Sequence, residues 1–416
     1  MKSLAAALLA GSVSMPAGAG TGSFATLHFF PCGKTDGAGP LGGLTLVGNT
    51  LYGTTYLGGK FGSGTIFSIH RSGTHYHSLY SFRGFPQDGA GPRAGLTLVG
   101  TTLYGTTVTG GSANMGTIFA YDLITRYRLV YSFQGGADGA GPAAKLTYVN
   151  GVLYGTTQFG GSTGCFDRGG CGTVFAYNLQ TGKESVVHSF AGGATDGSAP
   201  LAALTPFNDE LVGTTSSGGG GTACFGGAGC GTIFQFMPFP VVYQVLYSFQ
   251  GNADGADPVD ALTAGSGVLY GNTRRGGGIG CGGLGCGTVF SFNPQTRAAP
   301  VLFGAFGGTN GFKPDGDLSV APPKGPSVHR GTAAGPTTGG GDGSGGPQAP
   351  GTDVPSGTIY SVDLKTGVET VLHNFSGEPD GSKPNGALVA FDGAYYGETY
   401  KGGMNYSGTL FMLRPP

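Results

Sequence analysis

Four short words recur in a fixed order along this chain: Asp-Gly, Leu-Tyr-Gly-Thr-Thr, Gly-Gly and Gly-Thr-Ile/Val-Phe. Asp-Gly stands at Asp36, Asp88, Asp138, Asp196, Asp254, Asp315 and Asp380, with gaps of 52, 50, 58, 58, 61 and 65 residues. A period near fifty marks one supersecondary unit that cannot bury its apolar face alone and must stack on copies of itself. The repeat overrides the two or three domains that a length of 416 residues would otherwise suggest.

Glycine is 88 of the 416 residues, a richness often found in disordered chains. Here the glycines recur at fixed places beside Tyr, Phe, Ile and Val, so they read as turns between short strands. Charged residues are 10 % of the chain, against roughly 25 % in an ordinary globular protein. The formal net charge is -1, which leaves no basic surplus to neutralise a phosphate backbone and argues against nucleic-acid binding.

The first residues read as an address. Lys2 precedes an apolar run from Leu4 to Leu9, and Ala17-Gly18-Ala19 has the small-x-small form of a cleavage site. The run is too short for a membrane span, so residues 1–19 are expected to be a secretory signal peptide cut near Ala19. The expected location is extracellular or periplasmic, without an anchor. Pro416 follows the last repeat directly, so no sorting tail is expected.

The third copy shows the grammar of one unit. Leu146–Val149 is a short alternating strand (a), Asn150-Gly151 is a tight-turn signal, and Val152–Thr156 is strand b. Gly160-Gly161 opens a longer loop before strand c, Gly172–Tyr177. Thr181-Gly182 turns the chain into strand d, Ser185–Phe190. Four antiparallel strands per repeat make the blade of a β-propeller.

Strands a, b and c occur seven times, ending with Leu388–Phe391, Tyr395–Thr399 and Gly408–Met412, and no d strand follows. An unpartnered d-like strand, Phe24–Phe30, lies at the start. The expectation is an all-β, seven-bladed propeller over residues 20–416, in which residues 24–30 complete the last blade and remove its exposed edges. With no Trp in the chain, the wedges between blades should be Phe67, Phe119, Phe175, Phe234, Phe290, Phe411 and, in the sixth copy, Tyr360. Burying each is worth on the order of 2–3 kcal/mol. In the sixth copy Asp315-Gly316 reads as the intact word. His329-Arg330-Gly331-Thr332 reads as a decayed strand b, and a Gly/Pro-rich stretch at about 335–355 as a flexible loop.

The unit S-F-x-G-x-x-D-G-x-x-P, L-Y-G-T-T-x-x-G-G, G-T-(I/V)-F resembles the bacterial tandem-repeat family called GloVer-repeat or choice-of-anchor proteins. Its clearest copies are Ser81-Phe82 to Phe119 and Ser132-Phe133 to Phe175, and the likeness covers about residues 24–412. The resemblance implies an exported, propeller-like protein and implies no activity. Kelch blades are a more distant likeness.

Cys165 and Cys171, Cys224 and Cys230, and Cys281 and Cys286 each fall in a b–c loop, the second Cys directly before Gly-Thr. In an exported chain such local pairs are read as three disulfides, each worth roughly 2–2.5 kcal/mol. Thiolate metal binding is the rival, but no His accompanies the pairs and each pair sits on a different blade. Cys32 is left over, free or intermolecular.

The a–b and c–d turns are tight, whereas the d–a and b–c loops carry the Asp-Gly words, the cysteine pairs and the long insert. Binding is therefore expected on the d–a/b–c side. The seven Asp residues are read as turn caps bonded to their own backbone, with calcium as the weaker reading. No other cofactor signature appears. Departures from consensus cluster in copies five to seven: Arg274, Arg275, Glu398, Lys401, Asp257 and Asp260, with Arg330 nearby. They describe either a charged pocket for a carboxylate-bearing or hydroxyl-rich ligand, or plain ion pairing of Arg274 or Arg275 with Asp260. His28, His188 and His373 share a d-strand position with Tyr80 and Tyr131 and are read as packing substitutes. His70, His75 and His77 lie in one c–d hairpin and are read as a solvated turn, with a metal on His75 and His77 as the weaker reading.

No nucleophile elbow, zinc-protease helix or dinucleotide fingerprint occurs. The expected function is a monomeric, exported scaffold that binds a ligand or partner, a glycan or a protein, with catalysis the less favoured option. The alternative is a polysaccharide hydrolase or lyase. Glu398 with Asp260 or Asp257 would then be the acid/base pair, and Arg274 or Arg275 would hold a sugar carboxylate.

Overall fold

Each copy of the repeat makes one antiparallel sheet, and the seven sheets stand in a ring. The computed structural model describes residues 22–416 apart from 163, 166–168, 225–226, 239–240, 279, 305, 321–330 and 342–356. The expected signal peptide and its cleavage site lie outside the described residues, as does Arg330.

The third copy forms Thr147–Val149, Val152–Thr157, Thr173–Asn178 and Lys183–Ser189, hydrogen-bonded in that order as strands a to d. The words of the repeat now have packing roles. Gly155 lies opposite Phe175, and a Cβ there would sit 2.5 Å from the ring's Cζ, so only glycine lets the ring cross strand b. Thr157 and Thr173 share a buried hydroxyl–hydroxyl bond of 2.8 Å, which satisfies two polar groups that would otherwise be stranded in the core. The d-strand Phe133 meets Phe175 edge-on at 5.0 Å, joining blades two and three. Phe67, Phe119, Phe175, Phe234, Phe290, Tyr360 and Phe411 are all fully buried, as the sequence requires of wedges.

Ring closure follows the expected route. Ser23–Phe29 pairs antiparallel with Thr409–Arg414, Phe24 opposite Leu413 and Thr26 opposite Phe411. Phe30, one residue further, packs with Leu44, Leu51 and Phe67 of blade one. The start of the described chain thus belongs to the last blade and also seals the seam with the first.

Strand a is broken. In blade one, Gly37–Pro40 pairs with the end of Thr50–Gly58, while Thr45–Val47 pairs with its beginning. The residues between them step toward the axis. The matching steps of all seven blades line a single axial cavity of about 100 Å³, so the ring is nearly plugged by its own backbone.

The sixth copy differs from its sequence reading. Asn310-Gly311, not Asp315-Gly316, holds the place of Asp-Gly. Gly307 N–H donates to the Gly311 carbonyl at 2.6 Å, as Gly135 does to Gly139 at 3.1 Å. A Cβ on Gly311 would strike the Thr337 and Thr358 hydroxyls, as one on Gly139 would strike those of Thr157 and Thr173. Asn serves this turn as Asp does, and an Asp-Gly five residues on masked the substitution. Strand b of this copy is Thr332–Gly339, with Gly335 opposite Tyr360, so the word has become Gly335-Pro336-Thr337. Residues 335–339 are therefore strand rather than the start of a loop, and most of the expected loop lies outside the described residues.

Cys165–Cys171, Cys224–Cys230 and Cys281–Cys286 are bonded, and Cys32 is free and exposed. Among the described residues no helix is long and apolar enough to cross a membrane.

Candidate functional site

Two residues after each Asp-Gly or Asn-Gly word the backbone enters the left-handed region at φ between 52° and 64° in every blade down to the seventh: Gly39, Gly91, Gly141, Ala199, Asp257, Lys313 and Lys383. This position lies in the d–a loop, two residues before the stretch of each blade that lines the axial cavity. Blades one to three fill it with glycine, at no steric cost. Blades five to seven place a charged side chain there, although a non-glycine left-handed residue costs about 1–2 kcal/mol.

The glycine half of the mouth is aromatic. A Cβ on Gly39 would lie 2.7 Å from the Tyr400 ring, one on Gly91 2.9 Å from Tyr56, and one on Gly141 3.2 Å from Phe159. These half-exposed rings border a cavity of about 560 Å³ together with Arg93, Asn114 and Gln158.

The other half is charged. Arg274 Nη2 lies 2.6 Å from Asp315 Oδ2, and Arg275 Nε lies 3.8 Å from Asp257 Oδ2. Asp317 Oδ1 accepts from the Ala261 N–H at 2.7 Å. Burial, then Asp315 and Asp317, push the Asp260 carboxyl well above the usual carboxylate range, and Asp260 Oδ2 is buried without a hydrogen-bond partner. Burial likewise raises Asp257 and Asp317. For Arg274, burial disfavours the charge, but Asp315, Asp260 and Asp257 outweigh it and raise the pKa. Lys145 is exposed within the channel, and enclosure by the channel wall lowers its pKa while Asp317 partly offsets this.

The expected site residues land as follows. Arg274, Arg275, Asp257 and Asp260 are together at the blade five–six seam. Arg274 and Arg275 pair with Asp315 and Asp257 rather than with Asp260. Lys401 is exposed at the end of strand b of blade seven, opposite Ser382. Glu398 is 1 % exposed, and its Oε1 accepts from the blade-one Gly43 N–H at 2.6 Å. Burial pushes its pKa up to about 8. It stands where blades one to four have an inward Thr, whose hydroxyl bonds the next blade's backbone, as Thr106 does to the Ala144 carbonyl at 3.2 Å; blade five has Asn272 there and blade six Pro336.

The Asp-Gly carboxylates work as clasps. Asp196 accepts from its own Gly197 N–H at 2.7 Å, the Ala191 N–H at 2.8 Å and Tyr243 at 2.5 Å, and contacts His188 at 3.3 Å. His28 and His373 contact Asp36 and Asp380 at 3.0 Å in the same way. These histidines are therefore hydrogen-bonding partners of the clasp and not merely packing substitutes: the shared position demands a ring with a polar tip, which Tyr and His both supply. Phe303 lacks that tip in blade five, and the following blade carries Asn310 in place of the Asp. Among the described residues no group of three His, Cys, Asp or Glu is arranged to hold a metal.

Sequence reading missed Lys313, Lys383, Asp317, Lys145 and the aromatic half of the mouth. Aligning the copies on Pro40, Pro92, Pro142, Pro200, Pro258, Pro314 and Pro384 would have exposed the first two.

Among solved structures the chain is similar to oligogalacturonate lyase from Vibrio parahaemolyticus, at 10% identity and TM-score 0.52, covering 95% of this chain and 97% of that one. It is similar to an oligogalacturonate lyase in complex with manganese, at 12% identity and TM-score 0.50, covering 96% and 94%. It is also similar to a puromycin hydrolase mutant, at 13% identity and TM-score 0.50, covering 88% of this chain and half of the other. At such identities these likenesses speak for the propeller fold alone. Among curated proteins no sequence matches. A family model matches residues 14–224, half of the chain, and its description is the Gloeobacter/Verrucomicrobia repeat. With that match and a seven-bladed ring built from the repeated words, the chain belongs to the Gloeobacter/Verrucomicrobia repeat family.

Proposed function

We propose that the protein is a binding scaffold of an oxidising, extracytoplasmic compartment, and that it takes an anionic ligand, an acidic glycan, at the channel mouth over blades five to seven. The carrying observation is the left-handed position. Asp257, Lys313 and Lys383 occupy, in consecutive blades, a site where glycine is conformationally cheaper and suffices in blades one to three. Strain of this kind persists where the side chain is useful. Lys313 lines a cavity with Arg275, and Lys383 and Lys401 add positive charge on blade seven, in a chain otherwise poor in charge. Three disulfides support the compartment. The catalytic alternative draws no support from Glu398, whose carboxyl is buried against blade one.

The test is binding of polyuronate to immobilised protein as salt is varied, for the native chain and for Lys313→Gly/Lys383→Gly, which restores the glycine of other blades. Saturable binding that weakens with salt and falls at least about fivefold in the double variant is expected. Binding unchanged by the double variant refutes the reading.

A further inference from the structure

The aromatic half of the mouth has chemistry of its own. Tyr56, Phe159 and Tyr400 come from three different blades and converge on one cavity of about 560 Å³, within the roughly 300–1,000 Å³ of small-molecule sites. None of the three rings is required by the repeat. Blade four carries Ser216 and Ser217 at the places of Tyr56 and Phe159 and folds into the same sheet. Each ring lies beside a left-handed residue that has no side chain, so Gly39, Gly91 and Gly141 make room for them. Met115, 40 % exposed, adds a further apolar lining.

Polar groups stand among the rings. Asn114 Oδ1 accepts from the Gly110 N–H at 2.9 Å, which leaves its Nδ2 group to donate. Gln158 brings an amide that both donates and accepts. Arg93 is exposed and has no ion-pair partner among the described residues. Flat apolar faces interspersed with amides and one guanidinium suit a ligand that is apolar on its ring faces and hydroxylated around its edge. A pyranose is such a ligand: its C–H faces lie on aromatic rings, and its hydroxyls meet the amides.

We infer that this cavity is a sugar-ring subsite, with Tyr56, Phe159 and Tyr400 as the stacking surface and Gln158, Asn114 and Arg93 as the hydrogen-bonding edge. The inference rests on the reading that this side of the ring binds a ligand, but it uses none of the charged residues of blades five to seven. It therefore extends to neutral sugars, which the charged half alone would not hold.

An array of neutral and uronic-acid oligosaccharides, probed with the labelled native chain, tests it, followed by calorimetric titration with the best-retained oligosaccharide. Tyr56→Ser and Phe159→Ser introduce the residues of blade four, so the fold tolerates them. Each is expected to weaken binding about tenfold, and Arg93→Ala to weaken uronic-acid members more than neutral ones. Lys313→Gly and Lys383→Gly are expected to leave neutral members unaffected. An array on which nothing is retained overturns the inference, and so does retention that both serine variants leave unchanged. Uronate binding lost in the serine variants but indifferent to the two glycine variants keeps this subsite and refutes the anionic reading of blades five to seven.

Discussion

His28 Nε2 lies 3.0 Å from Asp36 Oδ2, and this contact ties the outer strand of the last blade to the first turn of blade one. Tyr76 of blade one also donates to Asp36 and stacks on His28 with centroids 3.8 Å apart. Replacing His28 with Ala removes one donor from a buried carboxylate. A loss of about 1–3 kcal/mol in unfolding free energy is expected from denaturant titration. Removing residues 22–30 would bare the edge of Thr409–Arg414 as well, and that protein should aggregate or fall to limited proteolysis. Native-like stability in the truncated chain would disprove a closed ring.

The clasps predict sensitivity to acid. Burial opposes ionisation of Asp196 and Asp380, but hydrogen bonds from their His partners and from Tyr243, Ser376 and backbone N–H groups outweigh it and hold both pKa values below the ordinary one. A carboxyl whose folded pKa is depressed stabilises the fold above its unfolded value, near 3.9, and loses that contribution as pH falls through the folded value. The contribution of the clasps to unfolding free energy should therefore be level between about pH 5 and 7 and decline below about pH 4. Asp196→Asn should flatten that decline.

Glu398 has the opposite sign. Its pKa is raised by burial to about 8, so the folded state prefers the protonated acid. The penalty begins above the unfolded value near 4.3, grows as pH rises, and is complete above the folded value. Glu398→Thr, which restores the residue of most other blades, should stabilise the protein at pH 9 by a few kcal/mol, since each tenfold difference in proton affinity between the folded and unfolded chain is worth about 1.36 kcal/mol. The same change should alter little at pH 4. Equal effects at both pH values would show that the carboxyl is not held neutral.

Left-handed charged residues set stability against binding. Lys383→Gly relieves a backbone at φ 55°, and a gain of about 0.5–1 kcal/mol is expected by urea titration. The glycine's greater freedom in the unfolded chain keeps the gain below the full strain. Destabilisation on this change would mean that Lys383 is held by contacts rather than merely tolerated.

Reduction should act locally. Cys165–Cys171, Cys224–Cys230 and Cys281–Cys286 close short loops on blades three, four and five, each worth roughly 2–2.5 kcal/mol. Treatment with a reductant should lower the unfolding midpoint, and exchange protection should fall first in these b–c loops. Uniform loss of protection around the ring would contradict that assignment.

Much of the fold was legible because strand order is written in local words. Gly155 permits Phe175, Thr157 pairs with Thr173, and both pairings recur at the same strand positions in other copies, whatever the length of the b–c loop between them. The sixth copy was misread because an Asn-Gly and an Asp-Gly word lay within reach of one position, and the hydrogen bond from Gly307 to Gly311 decides between them. The site was half legible. Charge in a charge-poor chain is conspicuous, so Arg274, Arg275, Asp257 and Asp260 stood out. Tyr56, Phe159 and Tyr400 did not, because an isolated aromatic after a strand looks the same whether it packs or lines a cavity.

The chain's own pattern determined the number of blades, the strand grammar, the wedges and the cysteine pairs, since each depends on residues close in sequence or repeated at a fixed interval. Tertiary structure alone decided which carboxylate met which guanidinium, that Glu398 turned toward Gly43, and that aromatic and charged residues divided the channel mouth. Those outcomes depend on the angle at which separate blades meet, and neighbouring residues along the chain carry no record of it.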